Sequence, residues 1–173
     1  VTYIELGENN LPVCPNLTSM IGLNDVKLYK NNISYIPLNY LPVTIKSLNL
    51  ASNPIKCIPA DMMLHLPSLV GFDLQNGLLT EFPSLMHATK LKKLKLYNNK
   101  IQNLTCTGLP VNNVLEEIHI YNNDITYMSE CFVQNMLAIK SIQIYTNDLK
   151  SLPNLTAALP EGRYMYPLTL SSL

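Results

Sequence analysis

Seven segments of the chain repeat the spacing L-x-x-L-x-L-x-x-N-x-L, where x is any residue and each L is an apolar side chain. In this frame the segments begin at Val1, Leu23, Ile45, Leu69, Leu91, Leu115 and Ile139. Successive starts are 22 or 24 residues apart, a period typical of stacked supersecondary units. The chain is therefore predicted to fold as a row of similar coils.

Each segment contains a short alternation of apolar and other residues, which predicts a strand. The paired apolar positions are Ile4/Leu6, Val26/Leu28, Leu48/Leu50, Phe72/Leu74, Leu94/Leu96, Ile118/Ile120 and Ile142/Ile144. Because side chains alternate across a strand, these pairs face one shared interior, and a coil covers its apolar face only by stacking on the next. One parallel sheet is expected.

The frame resembles that of leucine-rich-repeat proteins over residues 1–160. The 24-residue repeats resemble the extracellular kind, whereas the 22-residue repeats are similar to intracellular and Leu-Pro-rich bacterial kinds, so the mixture assigns no subfamily. The resemblance implies an α/β solenoid that is mostly β: a right-handed superhelix with one parallel concave sheet and an irregular or short-helical convex side. Residues 161–173 are expected to form a degenerate terminal strand and a capping tail.

An asparagine follows the strand in all repeats except the fourth. These residues are Asn9, Asn31, Asn53, Asn99, Asn123 and Asn147. A short amide at a turn can bond the main-chain groups that the turn leaves unpaired, so we interpret this column as a structural ladder. Gly77 occupies the position in the fourth repeat, where either Asn76 substitutes for the missing amide or the ladder breaks.

One outward-facing column is rich in tyrosine: Gly7, Tyr29, Ala51, Gln75, Tyr97, Tyr121 and Tyr145. Tyrosine gives a large contact area with few rotatable bonds, which favours a protein interface. It is also a good strand residue, and stacked rings stabilise adjacent strands, so a structural interpretation stays open. On the first interpretation the partner-binding residues are Tyr29, Tyr97, Tyr121, Tyr145, Lys95, His119, Gln143, Asn98 and Asn122.

Charges beside this column alternate in sign from repeat to repeat. Lys92, Glu116 and Lys140 share one column, and Lys93 faces Glu117 in the next. The alternation favours lateral ion pairs over the steering of a partner. Exposed pairs of this kind contribute only about 0–1 kcal/mol each.

The cysteines and the N-glycosylation motifs indicate in which cellular compartment the protein is found. Cys14 and Cys57 lie two repeats apart and are expected to be buried thiols, whereas Cys106 and Cys131 lie at nearly equivalent positions of adjacent repeats and could be bridged. The N-glycosylation motif occurs at Asn16, Asn32, Asn103 and Asn154. Both features are compatible with an extracellular or cell-surface protein, with a cytosolic protein or a secreted bacterial effector as the alternative.

Several function classes are disfavoured. Twelve basic and twelve acidic residues cancel, which argues against nucleic-acid binding, and no apolar run is long enough to insert in a membrane. His65, His87 and His119 fall at unrelated positions of the repeat. Neither an enzyme, a metal site nor a cofactor is predicted.

The sequence predicts a non-catalytic module that binds a protein ligand on its concave face. The alternative is a self-assembling protein that joins copies through the solenoid ends or the tyrosine column. The cysteine-rich caps that close many extracellular relatives have no counterpart in this sequence, and an uncovered strand edge invites pairing.

Overall fold

The computed structural model describes residues 1–110 and 114–153. In chain order the elements are β1 (Tyr3–Glu5), β2 (Asp25–Lys27), β3 (Ser47–Asn49), α1 (Met62–His65), β4 (Gly71–Asp73), β5 (Lys93–Lys95), β6 (Asn103–Leu104), β7 (Glu117–His119), β8 (Tyr127–Met128), α2 (Glu130–Gln134) and β9 (Ser141–Gln143). The acceptor motif at Asn154 and the terminal strand and tail expected over 161–173 lie outside the described residues.

Seven of these strands form one parallel sheet in the order β1-β2-β3-β4-β5-β7-β9. The register aligns the central apolar residue of every strand, and these residues are Ile4, Val26, Leu48, Phe72, Leu94, Ile118 and Ile142. All of them are buried except Ile4, which is half-buried in the first coil. The predicted solenoid with one parallel sheet is thus confirmed.

The convex side is mostly irregular. A second parallel sheet joins β6 to β8, and the two helices have four and five residues. Prolines on this side restrict the preceding backbone to extended conformations, which keeps the helices short. The seven-stranded sheet is the larger of the two sheets in the described residues.

Neither α1 nor α2 has the length and apolar character needed to span a membrane.

Cys106 and Cys131 form a disulfide that joins adjacent coils on the return side, with their Cα atoms 5.5 Å apart. Cys14 is buried, and burial raises the pKa of its thiol to about 12. The expectation that Cys57 is also buried is wrong, because its side chain is exposed. Ile55 and Ile58 take the inward positions on either side of it and pack against the core.

Replacing both bridged cysteines by serine is expected to lower the free energy of unfolding by about 3 kcal/mol. The bridge closes a loop with a sequence separation of 25, and a cross-link of that span restricts the unfolded chain by roughly this amount. Denaturant unfolding measures the change, with Cys57→Ser as the matched control because Cys57 is exposed and free. Equal stabilities for the two variants would contradict the expectation.

Candidate functional site

The asparagine ladder ties each coil to the one before it. The Asn123 amide accepts a hydrogen bond from the Ile101 N–H at 3.0 Å and donates to the carbonyl oxygens of Leu96 and Ile120, each at 3.0 Å. Asn31, Asn53, Asn99 and Asn147 make the equivalent bonds across their own pairs of coils. Asn9 donates only within the first coil. The ladder therefore holds the strand ends in register beneath the concave face.

The ladder breaks in the fourth coil. Gly77 has no side-chain amide. The Ile55 N–H, which would have donated to an asparagine at this position, donates instead to the carbonyl oxygen of Asn53 at 2.8 Å. Asn76 does not substitute, because its exposed side chain bonds laterally. A Cβ at Gly77 would lie 2.7 Å from the Asn99 carboxamide oxygen. The amide of the next coil thus occupies the space beside Gly77.

A second row of side chains runs beside the ladder on residues with left-handed backbone. The residue before the ladder position has a positive φ in every coil, at Glu8, Lys30, Ser52, Asn76, Asn98, Asn122 and Thr146. Asparagine tolerates this conformation better than most residues. The Asn98 amide donates to the Asn76 oxygen at 2.5 Å, and the Asn122 amide donates to the Asn98 oxygen at 2.6 Å. Sequence reasoning placed Asn98 and Asn122 on this outward column but did not predict these lateral hydrogen bonds, which already use part of the amide capacity proposed for a partner.

Three tyrosine rings stack over β5, β7 and β9, and we call them the tyrosine stack. The ring centroids of Tyr97 and Tyr121 are 4.5 Å apart with planes 7° from parallel, and those of Tyr121 and Tyr145 are 4.5 Å apart at 6°. Both faces of the central ring are therefore covered by its neighbours. Tyr145 is 40% exposed and the other two are half-buried, so the stack presents mainly ring edges and hydroxyls.

The hydroxyl of the central ring is a donor at ordinary pH. Burial raises the pKa of Tyr121, and the neighbouring Tyr97 and Tyr145 raise it further. The neutral phenol can donate one hydrogen bond and accept others.

Tyr29 lies apart from the stack, because Ala51 and Gln75 occupy the same column between them. Its ring covers the backbone of Gly7, where a Cβ would lie 2.6 Å from the ring. Its hydroxyl donates to a Glu5 carboxylate oxygen at 2.6 Å. The structure therefore separates the four predicted tyrosines into two places.

The middle row of the sheet lies beside the stack and consists of Asp73, Lys95, His119 and Gln143 in register. The Lys95 ammonium is 3.0 Å from an Asp73 carboxylate oxygen. Burial lowers the pKa of His119 despite the nearby Glu117 carboxylate, which favours the neutral imidazole. His119 and Gln143 are half-buried on the same face as the tyrosine stack.

The predicted lateral ion pairs occur at the edge of this surface. Glu116 lies between two ammonium groups, 2.8 Å from Lys92 and 2.6 Å from Lys140. The hydrogen bonds from Lys140 and Lys92 lower the pKa of Glu116 to about 2. Lys93 pairs with Glu117 at 3.2 Å. These charged side chains pair with one another, which supports the interpretation that they form lateral ion pairs between coils.

The described acceptor motifs lie away from the strands of the concave sheet. Asn16, Asn32 and Asn103 are exposed, and Asn103 begins β6 in the two-stranded sheet. The Asn16 side-chain oxygen accepts a hydrogen bond from the Thr18 hydroxyl at 2.6 Å. Among the residues described, no cluster of three or more His, Cys, Asp or Glu side chains could hold a metal.

The parallel sheet and its asparagine ladder define a leucine-rich-repeat-like solenoid. No protein-family model and no curated protein matches the chain by sequence. Solved structures do match it. One is a chain of the Toll–Spatzle complex, described as a molecular hub in Drosophila development and innate immunity, with a TM-score of 0.75 and 20% identity. That match covers 91% of this chain and 25% of the other.

A chain from the octameric complex of Latrophilin 3, Unc5D and FLRT2 is similar at a TM-score of 0.75 and 28% identity, covering 86% of this chain and 47% of that one. A glycosylated form of the Toll–Spatzle complex matches at 0.72 and 20% identity, over 97% and 28%. The chain thus spans between about a quarter and a half of the structures it resembles. The matches at 20% identity establish the fold alone.

Proposed function

We propose that this chain is a non-catalytic recognition module that binds a protein partner on its concave face, at the tyrosine stack and the adjoining Lys95, His119 and Gln143. The stack carries the proposal, because three rings held at 4.5 Å spacing on a sheet form contact area that is already ordered. Binding to ordered aromatic side chains costs little conformational entropy. Asn98 and Asn122 border this surface, whereas Tyr29 belongs to the separate cluster around Glu5.

The solved structure at 28% identity supports the same kind of function. It comes from a complex between proteins, and a solenoid of this kind offers a long curved face for such contacts. An extracellular or cell-surface location is part of the proposal. The Cys106–Cys131 disulfide supports it, since disulfides persist mainly in oxidising compartments.

Two triple variants test the proposed surface. Tyr97, Tyr121 and Tyr145 are changed to alanine in one, and the exposed Tyr35, Tyr40 and Tyr127 in the other. Proteins captured from the native source are quantified for the wild type and for both variants. We expect a specific partner to be lost from the first variant by more than tenfold, because buried interface tyrosines each contribute about 1–2 kcal/mol or more.

The control triple should retain the same partner. Circular dichroism and thermal unfolding establish that both variants are folded. A partner that binds the first triple as tightly as the wild type would overturn the proposed surface.

A second candidate function is self-assembly through the β1 edge. Within the described residues β1 pairs on one side only, and Ile4, Leu6 and Leu11 are half-buried although their counterparts in the next coils are buried. A strand edge that pairs on one side only among the described residues can pair with a further strand, including one from a second copy. Light scattering over a hundredfold dilution tests this, and a mass that stays monomeric throughout contradicts it.

A further inference from the structure

In the first two coils of the concave sheet, tyrosine hydroxyls bind one of the chain's own carboxylates. Glu5 accepts a hydrogen bond from the Tyr29 hydroxyl at 2.6 Å and another from the Tyr3 hydroxyl. The Lys27 ammonium lies 3.7 Å from the same carboxylate and 5.1 Å from the Tyr3 ring centroid. The Tyr29 bond, followed by the Tyr3 bond, lowers the pKa of Glu5. Tyrosine hydroxyls and a lysine thus hold an ionised carboxylate on this face.

The strand register identifies which residues occupy the position of Glu5 beside each tyrosine of the stack. Glu5 pairs with Lys27, two residues before Tyr29, so the carboxylate comes from the coil preceding the tyrosine. The corresponding residues for Tyr97, Tyr121 and Tyr145 are Asp73, Lys95 and His119. Within residues 1–110 and 114–153, the chain therefore supplies no carboxylate at this position for Tyr121 or Tyr145.

The side-chain groups beside Tyr121 and Tyr145 favour a ligand that is negatively charged and accepts hydrogen bonds. Because the ring faces are covered, a ligand can reach only the ring edges, which carry partial positive charge, and the hydroxyl donors. Lys95 adds an ammonium on a side chain that is 37% exposed, and His119 adds an imidazole N–H donor. Of the carboxylates nearby, Asp73 is paired with Lys95 and Glu117 with Lys93.

We propose that the tyrosine stack binds aspartate or glutamate side chains of an acidic segment of the protein partner, in the way that Tyr29 and Lys27 bind Glu5. This inference rests on the proposed function and specifies the partner's chemistry. The hydroxyls of Tyr121 and Tyr145 donate to the incoming carboxylate, and Lys95 shares its charge between that group and Asp73.

A peptide of six glutamates, acetylated and amidated so that it has no terminal charges, is the direct probe. Titration into the ¹⁵N-labelled protein at low salt is followed by NMR, with the six-glutamine peptide as the control. We expect the glutamate peptide to shift the amide signals of Lys95, His119 and Tyr121, and the glutamine peptide to leave them unchanged. Equal shifts with both peptides, or none with either, would overturn the inference.

Two variants give opposite expected effects. Tyr121→Phe with Tyr145→Phe keeps the stacked rings but removes two donors. The double variant should weaken glutamate-peptide binding about a hundredfold, since each hydrogen bond to a charged group is worth about a factor of ten. Asp73→Asn frees Lys95 and should strengthen binding severalfold. Tyr35→Phe, on an exposed residue of the return side, is the neutral control. Unchanged affinity in the double phenylalanine variant overturns the inference.

The native partner separates this inference from the proposed function. If the alanine triple loses the partner and the double phenylalanine variant keeps it fully, the binding surface stands and the acidic ligand is wrong. If the alanine triple keeps the partner, the proposed surface itself fails, whatever the peptides do. Loss of the partner from both variants supports the inference.

Discussion

Asn123→Ala is expected to lower the free energy of unfolding by about 4 kcal/mol. Asn123 is 7% exposed, and its amide bonds the Ile101 N–H and the carbonyl oxygens of Leu96 and Ile120. Alanine leaves the Ile101 N–H without this partner, at a cost of about 1–3 kcal/mol, and removes one hydrogen bond of about 1 kcal/mol from each of the Leu96 and Ile120 carbonyl oxygens, which keep those from Asn99 and Asn147. Chemical denaturation followed by circular dichroism measures the loss.

The neighbouring Asn122→Gly provides the control. Asn122 is exposed and bonds the outer row, and glycine tolerates its φ of 55°. A change within about 1 kcal/mol is expected there, as for most surface substitutions and exposed glycines. The break at Gly77 shows that backbone can rearrange around one missing rung. If Asn123→Ala costs no more than Asn122→Gly, the ladder does not stabilise the fold as argued.

Phe132→Ala should destabilise the protein by a similar amount, about 3–5 kcal/mol, because it leaves a large cavity in a packed interior. Phe132 lies in α2, is fully buried, and meets the Phe82 ring edge-on with centroids 5.2 Å apart. This ring contact joins the returns of two coils that are two repeats apart in sequence. Thermal and denaturant unfolding would both register the loss.

Leu64→Ala is the matched control in the other short helix, where Leu64 is 55% exposed. Its expected effect is below about 1 kcal/mol, since little apolar area returns to water. A loss at Phe132 that is no greater than the loss at Leu64 would mean that the return side packs differently from the arrangement described.

The tyrosine column shows what a repeat frame can and cannot predict about a site. The frame placed Tyr97, Tyr121 and Tyr145 on one face, because each occupies the same offset in consecutive coils. It also grouped Tyr29 with them by offset, although the same column has Ala51 and Gln75 in the two coils between. Only side-chain positions reveal that Tyr29 is bound to Glu5.

The sequence by itself determined the parallel solenoid and the division of side chains into inward and outward columns. A one-residue shift of any strand would expose its apolar pair, so the apolar pattern leaves one register. The tertiary structure alone decided the break at Gly77, the exposure of Cys57, the outer row through Asn98 and Asn122, and the carboxylate held at Glu5. These features depend on contacts between neighbouring coils, whose residues are more than twenty positions apart in the sequence. Such contacts depend on how individual side chains pack, which the repeat period does not specify.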